Sequence, residues 1–202
     1  MSRKSNKEKK VVDLASQRGV LRVRDLKELG IHPEYLRRLC GKGKLKRWGR
    51  GLYKLADEDV SENYHLAQLF KWIPRGVVCL VSALRFHEVG TQSPQEVWLA
   101  LKHGTARPKI KTPPLRIIWL SGSIFSEGIE IHRIDGVDVR VYSVAKTVAD
   151  CFKFRNKIGI DVAIEALREC LQERMVTRDE LWKYAGICKV TKVMRPYLEA
   201  LS

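Results

Sequence analysis

The side chains in this sequence that are best suited to binding chemistry are cationic, and they concentrate in residues 22–50. Arginine offers paired N–H donors to guanine or phosphate, lysine supplies a compact charge, and tyrosine adds a hydroxyl. Such groups predict contact with double-stranded DNA. The candidate contact residues are Arg22, Arg24, Tyr35, Arg37, Arg38, Lys42, Lys44, Lys46, Arg47 and Arg50.

The distribution of charge supports this choice. The chain has 202 residues and a formal net charge of +15. Residues 1–56 contain 17 Lys or Arg against 5 Asp or Glu, whereas residues 57–202 contain 21 against 18. A local excess of cations on an otherwise nearly neutral chain is typical of a module that binds nucleic acid.

Apolar residues at helical spacing predict three short helices ahead of the most basic stretch. The first covers residues 6–18, and the second covers residues 23–29 with Val23, Leu26 and Leu29 on one face. A third helix begins at Pro33, where proline loses no hydrogen bond, and turns its arginines outward. Arg22 and Arg24, at the start of the second helix, are expected to meet backbone phosphates.

A basic hairpin is predicted to follow the third helix. Residues 45–48 and 52–55 alternate apolar with basic or polar side chains, and Gly49-Arg50-Gly51 joins them. The alternation predicts that Trp48 and Tyr53 point inward. Three helices and a basic hairpin have the order of a winged helix-turn-helix domain, whose recognition helix enters the major groove.

The remaining sequence predicts a second domain, so that the fold class is α+β. We expect a winged helix-turn-helix domain in residues 1–56, a linking helix in 57–75 and a mixed α/β domain in 76–202. This last domain is predicted to contain a small antiparallel sheet and to end in a helical bundle.

Four local signals mark the expected boundaries of elements after residue 56. Ser61 is expected to cap a helix that reaches Trp72, and Ser82 a brief helix that ends at Gly90. Asp135-Gly136 predicts a hairpin turn. Thr177 to Glu180 predicts a capping box at the start of a helix that ends at Gly186.

No motif predicts an enzyme, a cofactor or a metal site. The five cysteines have no C-x-x-C pair, the histidines lack metal-ligand spacing, and no nucleotide-binding or nucleophile motif occurs. No apolar run reaches the length of a membrane span, and no secretory leader is recognisable. We therefore expect a cytoplasmic protein without catalytic residues and without a membrane partner.

Two alternatives remain open on residues outside the first domain. Asp135, Asp138, Asp150 and Lys146 have the residue types of a metal-dependent nuclease, although a hairpin turn and an i,i+4 helix pair explain them more simply. The basic loop Lys102–Lys111, with Arg107 and Lys109, either extends a nucleic-acid surface, contacts an acidic partner, or is simply solvated.

The sequence resembles the AbiEi family of antitoxins from bacterial abortive-infection systems. The resemblance rests on GVLRVRDLKELGI, YLRRL and GKLKRWGRGLYKL near the amino terminus. It continues in SALRFHEVG and VYSVAKTVADCFKFRNKIGIDVAIEALRE, so that it spans nearly the whole chain.

The resemblance implies two functions. One is repression of the protein's own operon through operator DNA, and the other is neutralisation of a cognate, often nucleotidyltransferase-like toxin, with or without direct contact. No residue can be assigned to neutralisation in this way. The main alternative is a protein-interaction adaptor that holds a toxin and binds DNA only incidentally.

Overall fold

The computed structural model describes residues 3–57, 61–110 and 112–201, with side chains from residue 6 onward. Its contacts divide the chain into two compact units. The amino-terminal unit comprises residues 1–74 and 133–139, and the carboxy-terminal unit comprises residues 75–132 and 140–202. Both contain helices and strands, which confirms a mixed α+β protein.

The amino-terminal unit has the element order helix, strand, helix, helix, strand, strand, helix. Its elements are α1 (Arg3–Arg18), β1 (Leu21–Arg22), α2 (Asp25–Glu28), α3 (Glu34–Gly41), β2 (Leu45–Gly49), β3 (Leu52–Leu55) and α4 (Tyr64–Trp72). The three strands form an antiparallel sheet in the order β1-β3-β2. Apolar residues of the first three helices and of β1 and β2 form its buried core.

Two predictions about this unit were wrong. The second helix is a single turn, because the Asp25 carboxylate accepts the Arg22 backbone N–H at 2.7 Å and the chain turns there instead of coiling. Leu29, predicted to point inward, is therefore 38% exposed. Ser61 does not cap α4, which begins at Tyr64; its hydroxyl instead lies 3.3 Å from the Asp135 carboxylate.

The remaining elements begin at residue 77. They are β4 (Val77–Val78), α5 (Leu80–Phe86), β5 (Val97–Lys102), β6 (Leu115–Leu120), α6 (Gly122–Ser126), β7 (Ile129–Ile134), β8 (Val137–Tyr142), α7 (Val144–Lys153), α8 (Arg155–Ile158), α9 (Ile160–Gln172), α10 (Arg178–Cys188) and α11 (Thr191–Ala200). Helix α7 is the central core helix, since Ala145 to Phe152 are all buried. None of the described helices is long and apolar enough to cross a membrane.

The five-stranded sheet is mixed, so the prediction of an antiparallel sheet was wrong. Its strand order is β6-β5-β4-β8-β7. Strand β4 is antiparallel to β5 but parallel to β8, and β5 is parallel to β6. The physical reason is that the chain returns to the start of β5 before β6 begins: the His103 N–H donates to the Leu120 carbonyl at one end of the two strands, and the Val97 N–H donates to the Pro114 carbonyl at the other.

The local signals in the carboxy-terminal part had different outcomes. Ser82 lies inside α5 rather than at its start, and its buried hydroxyl accepts the Trp98 backbone N–H at 2.9 Å. The helix ends at Phe86, before Gly90. The capping box at Thr177 is confirmed, but α10 continues past Gly186 to Cys188, because the left-handed residue that ends it is Lys189.

Candidate nucleic-acid interface

Helix α3 has one apolar and one charged face. It begins directly after Pro33, and Leu36 and Leu39 are buried at 1% and 0% exposure. Their spacing of three residues fixes the rotation of the helix, so that Arg37 and Arg38 are exposed on the other side. The arginines predicted to face outward therefore do so.

The exposed residues of α3 contact one another only weakly. The Arg37 Nε lies 3.3 Å from a carboxylate oxygen of Glu34, and the Arg38 guanidinium lies 5.3 Å from the centre of the Tyr35 ring. Exposed ion pairs contribute at most about 1 kcal/mol, so Arg37 can exchange Glu34 for a phosphate at little cost. Tyr35 is half-buried against the core and supports Arg38 from below.

Lys42, just after α3, forms an ion pair with helix α1. Its Nζ lies 2.6 Å from the Glu8 carboxylate, and this hydrogen bond lowers the pKa of Glu8 below its ordinary value. A phosphate would have to compete with Glu8 for this ammonium group. Lys42 is thus a weaker candidate for DNA contact than the sequence suggested.

The basic hairpin, defined as strands β2 and β3 with the turn between them, carries the next group of cations. The strands pair in antiparallel register from Leu45–Leu55 to Gly49–Leu52, with a bulge at Trp48. The bulge puts Leu45 and Trp48 on the buried side together and leaves Arg47 exposed between them.

The turn of the basic hairpin consists of Arg50 and Gly51 only. Gly51 has φ +68°, a left-handed conformation that glycine adopts without strain. Arg50 is exposed at the tip. Helix α4 supports this end of the hairpin, because the Gln68 amide donates a hydrogen bond to the Trp48 carbonyl and the Trp72 ring packs near Gly51.

Two predicted contact residues make hydrogen bonds within the unit. Arg22 is half-buried and donates a hydrogen bond to the Lys71 carbonyl at the end of α4; burial lowers the pKa of its guanidinium. A phosphate would have to compete with this carbonyl, and the role of Arg22 in DNA contact stays a prediction. Lys46 is half-buried and its Nζ lies 3.1 Å from the Ala56 carbonyl oxygen.

Six of the ten predicted contact residues are exposed cations. They are Arg24, Arg37, Arg38, Lys44, Arg47 and Arg50. Among these six, the ion pair of Arg37 with Glu34 is the strongest contact with an acidic group, and it is itself exposed. All lie between the start of α2 and the turn of the basic hairpin. Their role in DNA contact stays a prediction.

The sequence analysis missed a buried ion pair in this unit. The Lys54 Nζ lies 2.9 Å from an Asp135 carboxylate oxygen, and the two side chains are 2% and 7% exposed. Alternation along β3 places Lys54 on the same side as buried Leu52. A lysine at an inward position requires a buried acid, and this signal was available in the sequence.

The acidic groups considered for a nuclease are already paired. Asp138 lies 2.6 Å from Arg133, and Asp135 is bound to Lys54. Lys146 and Asp150 form the expected i,i+4 pair at 2.5 Å but are at most 1% exposed, so that substrate has no access to them. Burial raises the pKa of the Asp150 carboxyl, while Lys146 opposes this shift.

The amino-terminal unit thus presents a short helix and a basic hairpin whose exposed side chains are mostly cations, as in transcription regulators that bind DNA. The model of a family described as "Transcriptional regulator, AbiEi antitoxin" matches residues 9–56. This match confirms the AbiEi resemblance for the segment from α1 through β3. A comparison with curated proteins found no match.

Proposed function

We propose that the protein is a non-enzymatic, DNA-binding antitoxin that represses its own operon through a winged helix-turn-helix formed by residues 1–56. The observation that carries this proposal is the set of six exposed cations between Arg24, just before α2, and Arg50 in the turn of the basic hairpin, inside the segment that matches a transcriptional regulator family. In this assignment α3 is the recognition helix and the basic hairpin is the wing.

The two elements have different roles in this proposal. Arg37 and Arg38 reach base edges in the major groove, where arginine pairs bidentately with guanine. Arg47 and Arg50 of the basic hairpin contact phosphates or enter a narrow minor groove. Lys44 and Arg24 neutralise flanking phosphates and carry no sequence information.

The first test is a mobility-shift titration with the DNA upstream of the protein's own gene over a series of salt concentrations. If the four cations not assigned to base edges in the major groove each neutralise one phosphate, the slope of log K against log salt is about −4. The Lys44→Ala variant should reduce this slope by about 1 and weaken operator and random duplex equally. A slope near zero would refute DNA binding by this surface.

The second test is the Arg50→Ala variant. We expect it to weaken operator binding by about 1–3 kcal/mol if Arg50 reaches a base edge, and by less if it meets only phosphate. The matched control is Lys192→Ala, an exposed lysine on α11 that should leave operator affinity unchanged. Unchanged affinity of Arg50→Ala would contradict the assignment of the basic hairpin as the wing.

We also propose that residues 76–202 counteract a cognate, nucleotidyltransferase-like toxin. The support is the description of the matched family as an antitoxin, although the match itself covers only residues 9–56. Co-expression with the protein encoded by the adjacent gene tests this: the full chain should restore growth, and a variant with Arg47→Glu and Arg50→Glu should lose operator binding but still restore growth. If that variant is folded but does not restore growth, operator binding and counteraction of the toxin are not separable.

A further inference from the structure

The stretch from β5 through α6, which includes the connection between β5 and β6, carries charges of one sign only. Residues 97–126 contain five Lys or Arg and no Asp or Glu. Among the described residues of this stretch, Lys102, Arg107 and Lys109 are exposed. Arg116 is set apart, because it pairs with Glu96 at 3.4 Å and stacks over Trp98 at 5.0 Å. The neighbouring acid therefore compensates Arg116 and none of the other three.

The cations of this connection are held along the edge of the sheet. The His103 backbone N–H donates to the Leu120 carbonyl at 2.7 Å, the Trp119 indole donates to the Thr105 carbonyl at 3.0 Å, and a guanidinium nitrogen of Arg107 donates to the Leu115 carbonyl at 3.4 Å. Residues 103–107 therefore run back along edge strand β6. This part of the loop is anchored, so it does not have to be ordered when a ligand binds.

An aromatic side chain lies against this loop. Trp119 is 40% exposed on β6, and its indole N–H is fixed by the loop itself. Charged side chains are a common protection of a sheet edge, but this protection does not require an exposed indole. We define the cationic ridge as Arg107, Lys109 and Trp119. Lys102 is left out, because its register partner is Leu120 and alternation places it on the opposite face of the sheet from Trp119.

We propose that the cationic ridge is a second nucleic-acid site, specific for single strands. Proteins that bind single strands combine a cationic track for the phosphates with aromatic rings on which bases stack. A duplex keeps its bases stacked and would leave Trp119 without a role, and an acidic protein segment would use the cations alone. This site is independent of the function proposed for the amino-terminal unit.

The test measures fluorescence anisotropy of labelled oligo(U) and oligo(dT) of about 12 nucleotides with the full-length protein. Because the amino-terminal unit is also basic, the variants are crossed. Arg107→Glu with Lys109→Glu removes charge from the ridge, and Arg47→Glu with Arg50→Glu removes it from the basic hairpin. Lys183→Glu with Lys192→Glu, on exposed positions of α10 and α11, is the matched control for net charge.

We expect the ridge variant to bind single strands about tenfold or more weakly than the control variant while its affinity for the upstream duplex changes by less than about twofold. The hairpin variant should show the reverse. If the unmodified protein binds single strands but not the upstream duplex, the function proposed for the amino-terminal unit is refuted and the ridge is not. If it binds the duplex but not single strands, the ridge is refuted and the proposed function is not. Comparison of oligo(U) with oligo(dT) shows whether the strand is RNA or DNA.

The aromatic component is tested separately. Trp119→Ala keeps every charge and should weaken single-strand binding by about tenfold, whereas Trp119→Phe retains a ring and should recover most of the affinity. Equal single-strand affinity of the ridge variant and the control variant would overturn the proposal. So would competition by polyglutamate as effective as that by an oligonucleotide of equal charge, because the ridge would then bind acidic chains through charge alone.

Discussion

Lys54 in the amino-terminal unit shows that a charged side chain can be needed for the stability of the fold without contacting a ligand. Lys54 is on the inward side of the basic hairpin, with its Nζ 2.9 Å from Asp135 and 6.0 Å from the Trp48 ring centre. Removing one partner of a buried pair leaves an uncompensated charge, whereas removing both leaves none. The pair therefore fixes the inner side of the hairpin while Arg47 and Arg50 remain available on the outside.

The Lys54–Asp135 pair leads to a double-mutant prediction. Lys54→Met should lower the free energy of unfolding by about 3–5 kcal/mol, because the Asp135 charge stays buried alone. Adding Asp135→Asn, which tolerates the left-handed turn position, should recover much of this loss. Urea denaturation of the two single variants and the double variant measures the coupling. Additive losses would contradict a direct interaction.

His87 makes the carboxy-terminal unit sensitive to acid. Its Nε2 lies 2.8 Å from the Tyr142 carbonyl oxygen, and burial lowers the pKa of the imidazole below its ordinary value of 6.5, with Glu130 and His132 as the nearby titratable groups. In the unfolded chain the imidazole binds a proton more readily than in the folded one. The part of the stability that depends on neutral His87 is therefore complete above about pH 6.5 and decreases as the pH falls toward the lowered pKa of the folded state.

We accordingly expect His87→Gln to flatten the pH dependence of stability. The midpoint of thermal unfolding should fall less between about pH 6.5 and pH 5 in the variant than in the natural protein. His103→Gln, at an exposed histidine, is the control and should not change the slope. An identical slope in all three proteins would show that His87 is protonated without cost in the folded state.

At the scale of elements, the end of α1 packs tightly against the turn between β7 and β8. The Cα of Gly136 would lie 2.6 Å from a β-carbon at Gly19, and Gly19 has φ +65°. Gly30, at the end of the next helical turn, has nearly the same φ of +61° but open space around its Cα. The two glycines share a backbone requirement and differ only in packing.

This difference gives a matched pair of substitutions. Gly30→Ala should cost about 1 kcal/mol, the price of a left-handed conformation for an L-residue. Gly19→Ala should cost clearly more, because the added methyl also collides with the backbone of the turn. Chemical denaturation of both variants measures the difference. Equal losses would mean that the turn moves aside freely.

At the scale of the whole molecule, the amino-terminal unit is discontinuous in sequence. Residues 133–139 contribute the Asp135 turn to it, although they follow the amino-terminal segment by more than fifty residues. The sequence predicted a domain of residues 1–56 followed by a linking helix. A fragment cut by that prediction lacks Asp135, which forms a buried ion pair with Lys54.

The discontinuity predicts that the same substitution has different effects in two contexts. In the full chain, Lys54→Met leaves Asp135 unpaired and destabilises the fold. In a fragment of residues 1–74, Asp135 is absent, so that Lys54→Met leaves no buried Asp135 charge behind and should destabilise the fragment less than the full chain. Thermal unfolding of the four proteins gives the answer, and an equal loss in both contexts would show that the charge of Lys54 is held by groups within residues 1–74.

The sequence by itself determined the features that depend on near neighbours along the chain. The cation excess of residues 1–56, the turn at Asp135-Gly136, the capping box at Thr177 and the outward arginines of α3 follow from composition, turn and cap chemistry, and helical period. The resemblance to AbiEi, confirmed for residues 9–56, also rested on local motifs.

Only the tertiary structure decided which of the candidate residues are free to bind. Arg22 contacts the end of α4, Lys42 pairs with Glu8, and Lys54 finds its counterion 81 positions away. The same holds for the parallel pairing of β5 with β6, which depends on the path of a long loop. Periodicity shows which side of an element a residue occupies, but the partner it meets there depends on chain segments that are distant in sequence.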